Sequence, residues 1–565
     1  MRSEPAFDRS PNFCGGSLKL FKTGGTFRDT VDSGNVRQLA TRGAGATLFS
    51  GAVGLATQIV ATVVLARLLT PRDFGLVTIV TTFSLLFMNF GMNGITEAIV
   101  QRDEINHALA SNLFWITIAG STLLAVGFAS AGSLLARLFA DPRVTGISEV
   151  ISLTIVFTGL QVVQAALLKR EMRFFAVSAN DLFARAVSVV VSVWLAWLGW
   201  GYWALVAGAV VSPASSCIGT WILCPWMPGL PRRAAGTGSM VRFAIHTYGR
   251  FSTGYFTNNL DNFLVGWKLG TTSLGLYKKA YDLFVLSSGQ LSLGLTMVAV
   301  SALSRLQRDS AQYKRYFLSA LGVMAFVGMG IGGDLTLVGK DLILVLLGPK
   351  WGESGRLFTI FAPGIGIMLL YCTHIWLHLS MGRADRWFRW GIVDLVVTTV
   401  FLCVGLHWNA EGIAVAWVAS YWVLTLPSLW YAGRPIQLGI SSVIAVTWKY
   451  IVASFTAGGI ALLVVQQMPS YVSVPGTLWA IARLATSSLL FVALYLGLVI
   501  ALHRSLAPLN KVAGLLREMT SRGKGSHAEP GSERCTPDPE TSPKDMLAPA
   551  EISRECVNKS GTSII

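Results

Sequence analysis

The chain has 565 residues, of which 53% are hydrophobic and 13% are charged, and its formal net charge at pH 7 is +16. Soluble domains carry about 25% charged residues, so this depletion excludes an ordinary soluble protein. Apolar runs of about 20 residues recur along the sequence, and each is long enough to cross a hydrocarbon core of about 30 Å. We therefore expect an all-α polytopic membrane protein, because lipid satisfies no backbone hydrogen bonds and the alternating short strands of a barrel are missing from the sequence.

The apolar runs predict about fourteen transmembrane helices between two polar ends. The first 42 residues lack the apolar core of a signal peptide, and the chain beyond residue 508 has the composition of a disordered tail. The predicted spans are 44–69, 75–100, 108–138, 146–168, 177–198, 202–224, 240–269, 275–304, 314–338, 354–381, 387–408, 411–433, 445–467 and 477–502. The longest connection predicted outside, GKDLILVLLGPKWGESG, is too short to fold as a domain, so function is expected among the helices.

The basic residues indicate the orientation of these spans. With the N-terminus inside, the short inner connections carry most of the arginine and lysine, such as Lys169, Arg170, Arg305 and Arg308, while GWGY and QQMPSYVSVP outside carry none. This asymmetry predicts a multi-pass membrane protein with both termini in the cytoplasm. It also accounts for the positive charge without a nucleic-acid partner.

Two segments of the sequence match at an offset of 200 residues. LARLLTPRDFGLV at 65–77 aligns with VGWKLGTTSLGLY at 265–277, so that Gly75 meets Gly275 and Gln58 meets Asn258. Parallel repeats of this kind often enclose the substrate site of a transporter. We expect two six-helix lobes around a central cavity and two extra C-terminal helices. The predicted domains are a disordered N-terminus 1–42, an N-lobe 43–224, an inter-lobe cytoplasmic loop 225–239, a C-lobe 240–435, the extra helices 436–507 and a disordered tail 508–565.

The block NLDNFLVGWKLGTTSLGLYKKAYDL at 259–283 resembles the NxDxxxVGxxLGxxxLGxYxxAYxL pattern of the polysaccharide transporter family of the MOP superfamily. These are Wzx-type flippases, and the resemblance is to the branch that serves colanic acid, teichuronic acid and exopolysaccharide synthesis. RLLTPRDFGLVTIV, AIVQRDEIN, ALLKREMRF and GWGYWALVAG extend the similarity over about 44–435. The resemblance implies a non-enzymatic transporter that moves a polyprenyl-diphosphate-linked oligosaccharide from the cytoplasmic to the periplasmic leaflet. Polysaccharide polymerase and export machinery are possible partners.

Such a cargo needs cations for its diphosphate and hydrogen-bonding groups for its sugars. Arg250 and Asp261 lie eleven residues apart and so share nearly one face of the seventh span. Ionisable residues within spans are costly and are candidates for function, although Arg250 could snorkel to the interface and Asp261 could be a structural carboxylate. The predicted substrate path comprises Arg250, Asp261, Asn258, Asn262, Lys278, Gln58, Asn89, Asn93, Glu97 and Asp394.

Several ionisable residues near this path are expected to be structural. Asp282 is within reach of Lys278 or Lys279 for an ion pair on one helix. Asp181 and Arg185 are spaced for another, and Lys268 is expected to snorkel to the outer headgroups. His374 and His378 lie one turn apart but have no third ligand nearby, so no metal is expected, and no cofactor is. The seven cysteines show no metal-binding or disulfide pattern.

Two other functions remain open at this point. An ion-coupled multidrug exporter of the same superfamily would share the fold, but its pocket would be anionic or apolar. A polysaccharide polymerase or ligase would be an enzyme with a sizeable outer loop, which this sequence lacks. No GxxxxGK[ST] motif occurs, so ATP is not expected to be the direct energy source.

Overall fold

The computed structural model describes residues 36–92, 94–102, 105–232, 237–467, 476–506 and 510. Its described chain is almost entirely helical, as the apolar runs predict. The helices are α1 (Val36–Leu68), α2 (Pro71–Met92), α3 (Ile95–Gln101), α4 (His107–Leu138), α5 (Arg143–Arg170), α6 (Phe174–Trp197), α7 (Tyr202–Leu223), α8 (Thr237–Arg305), α9 (Ser310–Leu347), α10 (Gly352–Phe361), α11 (Pro363–Ser380), α12 (Ala384–Gly405), α13 (Asn409–Gly433), α14 (Ile440–Gln466) and α15 (Thr477–His503).

Ten stretches of the described chain are long and apolar enough to cross a membrane, or eleven if the bent pair α10 and α11 counts as one span. One of these stretches, Ala384–Ile436, contains both α12 and α13. Helix α8 breaks at Gly270, whose φ of 83° is open to glycine but costly for other residues, so its 69 residues form two helices. Helical segments therefore occupy all fourteen predicted spans, which confirms the polytopic all-α fold.

The structure differs from the predicted boundaries at several places. Helix α1 begins at Val36, so 36–42 is not part of a disordered terminus. The predicted outer connection 339–355 is mostly helical, because α9 continues to Leu347 and a 3₁₀ turn at Pro349–Trp351 leads into α10. The second span is two helices, α2 and α3, and the tenth bends by 49° where Pro363 cannot continue the hydrogen-bond ladder of α10. The rest of the predicted N-terminus and the tail from 511 onward lie outside the described residues.

The helices pack as two lobes with two helices attached. In the N-lobe, α4 packs on α5, α6 packs on α7, and α1 lies against α6. In the C-lobe, α11 packs on α9 and α13, and α12 packs on α13. Helices α14 and α15 pack on each other and on α9, which makes them an addition to the C-lobe side.

The lobes meet where α2 crosses α8, at two glycines that the sequence offset pairs. A Cβ added to Gly75 would lie 1.7 Å from the carbonyl oxygen of Thr271, and one added to Gly275 would lie 1.8 Å from that of Pro71. The two contacts exchange when 200 is added to the residue number in one lobe and subtracted from the residue number in the other, because 75 becomes 275 while 271 becomes 71. A two-fold axis requires this reciprocity. The crossing therefore supports the internal repeat, and it explains both glycines, since any side chain would push the helices apart.

Candidate functional site

Hydrogen bonds between the end of α1 and the C-lobe join the two lobes on the side of the α2–α8 crossing. The Arg67 guanidinium donates to the carbonyl oxygens of Val345 and Leu346, at 2.6 Å and 3.3 Å, near the C-terminal end of α9. The indole Nε1 of Trp351 donates to the carbonyl oxygen of Ala66 at 2.9 Å. Helix ends carry unsatisfied carbonyls and partial negative charge, so a guanidinium is well suited to this position. We call this set of contacts, with the glycine crossing, the outer contact.

Aromatic packing adds to the outer contact. Phe74 of α2 meets Trp351 edge to face, with ring centroids 5.4 Å apart. The ammonium of Lys279 lies 4.1 Å from the centroid of the Phe74 ring, within the range of a cation–π interaction. Because Phe74 belongs to the N-lobe while Trp351 and Lys279 belong to the C-lobe, these contacts hold the two lobes together.

Asp261 lies in the interior of the C-lobe with none of its surface exposed. Its Oδ2 accepts hydrogen bonds from the Tyr277 hydroxyl at 2.8 Å and from the Trp417 indole Nε1 at 3.0 Å. Tyr277 lies beyond the Gly270 break, so the reversal of the chain there brings the two halves of α8 together. The other oxygen, Oδ1, is buried and has no hydrogen-bond partner among the described residues. A buried carboxylate that is only half satisfied is costly, so this position is a candidate to bind a proton or a cation.

A row of packed aromatic side chains leads from the Asp261 site to Asp394, the second carboxylate predicted for the substrate path. Trp417 stacks on Tyr421 with centroids 5.5 Å apart, and Tyr421 meets Tyr371 at 5.4 Å. The Tyr371 hydroxyl accepts a hydrogen bond from Trp390 Nε1 at 3.1 Å. Asp394 accepts a hydrogen bond from the Thr398 hydroxyl at 3.2 Å and interacts with Tyr371. The C-lobe thus places both carboxylates along one packed row of polar aromatic rings.

The other predicted path residues of α1 and α8 make mostly local contacts. The side chain of Asn258 is exposed and donates to the Gly254 carbonyl oxygen at 2.8 Å, while Gln58 on α1 is exposed. Asn262 is buried, donates to Asn259 Oδ1 at 3.3 Å, and leaves its own Oδ1 without a partner among the described residues. The ammonium of Lys278 lies 2.8 Å from an oxygen of Asp282, so Asp282 pairs with Lys278, one of the two partners that the sequence offered.

For four predicted path residues, the structure describes no contact with the Asp261 site. Asn93 lies outside the described residues, and so do the side chains of Arg250 and Asn89, although α8 and α2 include their backbones. Glu97 lies on α3, a helix separate from α2, and its Oε2 is buried with no partner in the described part of the chain. Their participation in the path stays a prediction.

The lysine and arginine side chains near the spans, which could bind an anionic cargo, differ in the contacts that they already make. Arg67, Lys278 and Lys279 are engaged as described above, and Lys268 donates to the Leu406 carbonyl oxygen at 3.3 Å. Arg483 forms an ion pair with Asp341 at 2.7 Å. Lys278 and Arg483 are therefore neutralised by carboxylates, whereas Arg67, Lys268 and Lys279 keep their charge but are held in place by contacts within the protein.

Arg185 differs from these cations. The expected pair with Asp181 does not form within the described chain, where Asp181 instead accepts a hydrogen bond from Ser216 at 3.4 Å. The Arg185 side chain is exposed, yet one of its nitrogens lies 3.4 Å from the position a Cβ would take on Gly54 of α1. The lipid-facing residues Phe183 and Val190 are on nearly the opposite side of α6, because successive residues turn by about 100°. Arg185 therefore lies on the side of α6 that faces α1, and it makes no close ion pair among the described residues, although Asp181 is near enough to interact with its charge.

Sequence reasoning missed the partners that define the Asp261 site. Tyr277 belongs to the motif block 259–283, so its presence was visible but its contact with Asp261 was not. Trp417 is 156 residues from Asp261 and no local pattern connects the two. The histidines His374 and His378 are buried, and the described residues contain no group of three side chains suited to a metal ion.

The two-lobed helical architecture, with its reciprocal crossing and its buried Asp261, is that of a polytopic membrane protein with the fold of MOP-superfamily transporters. Its fold matches a lipid II flippase, MurJ in an inward closed conformation, with a TM-score of 0.64 and 13% sequence identity, covering 83% of this chain and 100% of that one. It also matches a multidrug resistance MATE family transporter in an inward-facing conformation, with a TM-score of 0.56 and 12% identity, covering 69% of this chain and 96% of that one.

The chain belongs to the polysaccharide biosynthesis protein family, whose model matches residues 64–356. Among its relatives, the succinoglycan biosynthesis transport protein ExoT of Rhizobium meliloti (strain 1021) is 23% identical over 387 residues, 68% of this chain and 78% of the relative. The lipopolysaccharide biosynthesis protein WzxC of Escherichia coli (strain K12) is 21% identical over 411 residues, 70% of this chain and 82% of the relative. The teichuronic acid biosynthesis protein TuaB of Bacillus subtilis (strain 168) is 22% identical over 371 residues, 64% of this chain and 75% of the relative. These matches confirm the resemblance predicted from the motifs.

Proposed function

We propose that this protein is a flippase. It moves polyprenyl-diphosphate-linked oligosaccharide repeat units from the cytoplasmic to the periplasmic leaflet of the bacterial inner membrane, for exopolysaccharide or lipopolysaccharide biosynthesis. One observation carries the proposal: the chain is related over most of its length to a polysaccharide biosynthesis transport protein, and it has the fold of a lipid II flippase along that entire protein. In this proposal both termini are cytoplasmic, and the protein performs no covalent chemistry.

The chemistry of Arg185 suits the anionic part of this cargo. A guanidinium binds phosphate oxygens through two parallel hydrogen bonds, and the exposed Arg185 makes no close ion pair among the described residues, with only the longer-range attraction of Asp181 to compete. Gly54 leaves room for the side chain on the neighbouring helix. Arg185 therefore replaces Lys278 as a candidate diphosphate ligand, and Arg250 stays a candidate from the sequence.

The outer contact suits one state of an alternating-access cycle. With the crossing at Gly75 and Gly275 closed and Arg67 bound to the end of α9, the periplasmic side is shut, so a cargo enters from the cytoplasmic side. Rotation of one lobe about this two-fold crossing opens the other side, as happens when repeats rock around a fixed site. The cargo head is then released to the periplasm.

Asp261 is suited to couple this motion to an ion gradient. Its unsatisfied Oδ1 binds a proton or a cation, and its partners Tyr277 and Trp417 come from the far half of α8 and from α13. Occupancy of the carboxylate therefore changes the attraction among three helical segments of the C-lobe. A charge gained or lost in an apolar interior has a large energetic effect, which suits a coupling group.

The test is a flipping assay in proteoliposomes with a polyprenyl-diphosphate oligosaccharide, comparing wild type with Arg185→Ala, Arg185→Lys and Asp261→Asn. We expect Arg185→Ala to lower the rate at least tenfold and Arg185→Lys to restore part of it, because lysine keeps the charge but not the paired hydrogen bonds. Arg356→Ala is a matched control, since Arg356 pairs with Glu411 on the exposed surface at 2.9 Å. Normal flipping by folded Arg185→Ala would remove this residue from the path, and failure of wild type to flip would contradict the function itself.

An ion-coupled multidrug exporter is the second candidate, favoured by the buried carboxylate of Asp261 and the half-buried carboxylate of Asp394. Carboxylates on the substrate path attract cationic drugs, whereas the exposed cation of Arg185 repels them. Transport of a small organic cation, with no movement of lipid-linked sugar, would support this alternative.

A further inference from the structure

A cavity of about 890 Å³ lies between α9, α10, α11, α14 and α15, away from the α2–α8 crossing and the Asp261 site. Its volume falls within the range of about 300–1,000 Å³ that is usual for pockets that hold small ligands. The lining is mainly apolar and includes Met329, Leu337 and Phe455. It also contains four glycines, two on α9 and two on α14, which leave space between these helices. This is a second site, independent of the proposed transport path.

The charged residues of this cavity are concentrated at one end, which we call the polar end. Lys340, Asp341 and Arg483 line it together, near the end of α9 that the charge asymmetry places outside. Met329 lines the other end, eleven residues earlier on α9, which is about 16 Å along a helix axis. Half of a hydrocarbon core is about 15 Å thick. The cavity therefore extends from headgroup level through the depth of one leaflet.

The charges at the polar end leave one cation available. Asp341 and Arg483 neutralise each other through three close contacts: Nη2 to Oδ1 at 2.7 Å, Nε to Oδ2 at 3.2 Å and Nε to Oδ1 at 3.3 Å. Lys340 is exposed and makes no ion pair within the described residues. A lysine in this position attracts an anionic headgroup as a point charge.

We propose that this cavity binds an anionic glycerophospholipid of the outer leaflet, with its phosphate at Lys340 and an acyl chain in the apolar part between α9 and α14. The polar end, the free positive charge and the depth of one leaflet are together the chemical pattern of such a lipid. Bound there, the lipid attaches α14 and α15 to the C-lobe. The proposal does not rest on the flippase function, because it concerns retention of a membrane lipid and not movement of a cargo.

Gly459 offers a direct way to fill the cavity. It lines the cavity, and a Cβ added there meets nothing within 4 Å, so Gly459→Leu places a side chain in the space without a clash. Gly497 on α15 is the matched control, since its added Cβ also meets nothing within 4 Å and it does not line the cavity. Lys340→Gln removes the charge, and Lys340→Arg retains it.

The measurement is native mass spectrometry of the full-length, delipidated protein titrated with phosphatidylglycerol, alongside phosphatidylcholine and a polyprenyl phosphate. We expect wild type and Gly497→Leu to bind one phosphatidylglycerol, Gly459→Leu to bind about tenfold more weakly, and Lys340→Gln about fivefold more weakly with recovery in Lys340→Arg. The same lipid should raise the Tm of wild type but not of Gly459→Leu. The proposal is overturned if Gly459→Leu binds phosphatidylglycerol as wild type does, if wild type binds none, or if polyprenyl phosphate displaces phosphatidylglycerol from the site.

Discussion

Replacing Gly75 by alanine should weaken the outer contact and shift the protein toward its outward-open state. The added Cβ would lie 1.7 Å from the Thr271 carbonyl oxygen, whereas ordinary van der Waals contact begins at 3.4 Å, so this distance must double. Forcing a methyl group into a tight contact costs about 1–3 kcal/mol. Since the methyl group is accommodated once the lobes separate there, that cost changes the equilibrium between the two states by about 5–150-fold.

Cysteine labelling measures this shift. Thr78 lies on α2 close to the crossing and only 8% of it is exposed, so Thr78→Cys in a cysteine-free background reports opening. A membrane-impermeant maleimide added from outside should label the Gly75→Ala variant at least fivefold faster than its parent. Gly275→Ala should have the same effect, because the two-fold crossing makes the two glycines equivalent.

Gly127→Ala on α4 provides the matched control, since a Cβ there meets nothing within 4 Å. If folded Gly75→Ala labels at the rate of its parent, the glycine crossing does not hold the outer side shut. The assignment of this face as the closed gate would then be refuted.

Three further predictions concern named contacts. Tyr277→Phe should destabilise the protein by about 1–3 kcal/mol, because Asp261 loses one of its two buried hydrogen bonds, and thermal unfolding in detergent checks this. Arg67→Ala should raise labelling of the outer face as Gly75→Ala does, because the carbonyls at the end of α9 lose their donor; unchanged labelling would count against the outer contact. Burial raises the pKa of Glu171, in the connection after α5, while nearby Arg173 opposes the shift. The folded protein therefore tolerates protonated Glu171 but is destabilised when Glu171 ionises, which happens as the pH rises through the raised pKa. Glu171→Gln removes that ionisation, so it should raise Tm more at pH 8 than at pH 4.

The fold was predictable from the sequence because each span is long and apolar, and that signal is local. The repeat was visible as a few identities at an offset of 200, among them Gly75 with Gly275, and those two glycines proved to touch. The boundaries were less predictable, because α9 continues as helix to Leu347 through residues that read as a loop. An apolar run marks only the part of a helix that lies in the hydrocarbon core, so it does not predict where a helix continues beyond that core.

The candidate site was only partly predictable. Asp261 stood out because a carboxylate within an apolar run is rare, but its partner Trp417 comes from a distant helix, which only the fold brings near. The spacing of Asp181 and Arg185 suggested an ion pair, yet Ser216 binds the aspartate and leaves the arginine exposed. Spacing along one helix identifies possible neighbours, whereas competition from other helices decides which contact forms.

The measurement that tests the central claim most directly is flipping by the purified wild-type protein. Proteoliposomes carrying a fluorescent polyprenyl-diphosphate oligosaccharide would be exposed to a membrane-impermeant quencher, with empty liposomes and the Gly75→Ala variant alongside. The flippase account predicts transfer between leaflets well above the empty liposomes, slowed in Gly75→Ala and dependent on an ion gradient. Transfer no faster than in empty liposomes, from protein shown to be folded, would contradict it.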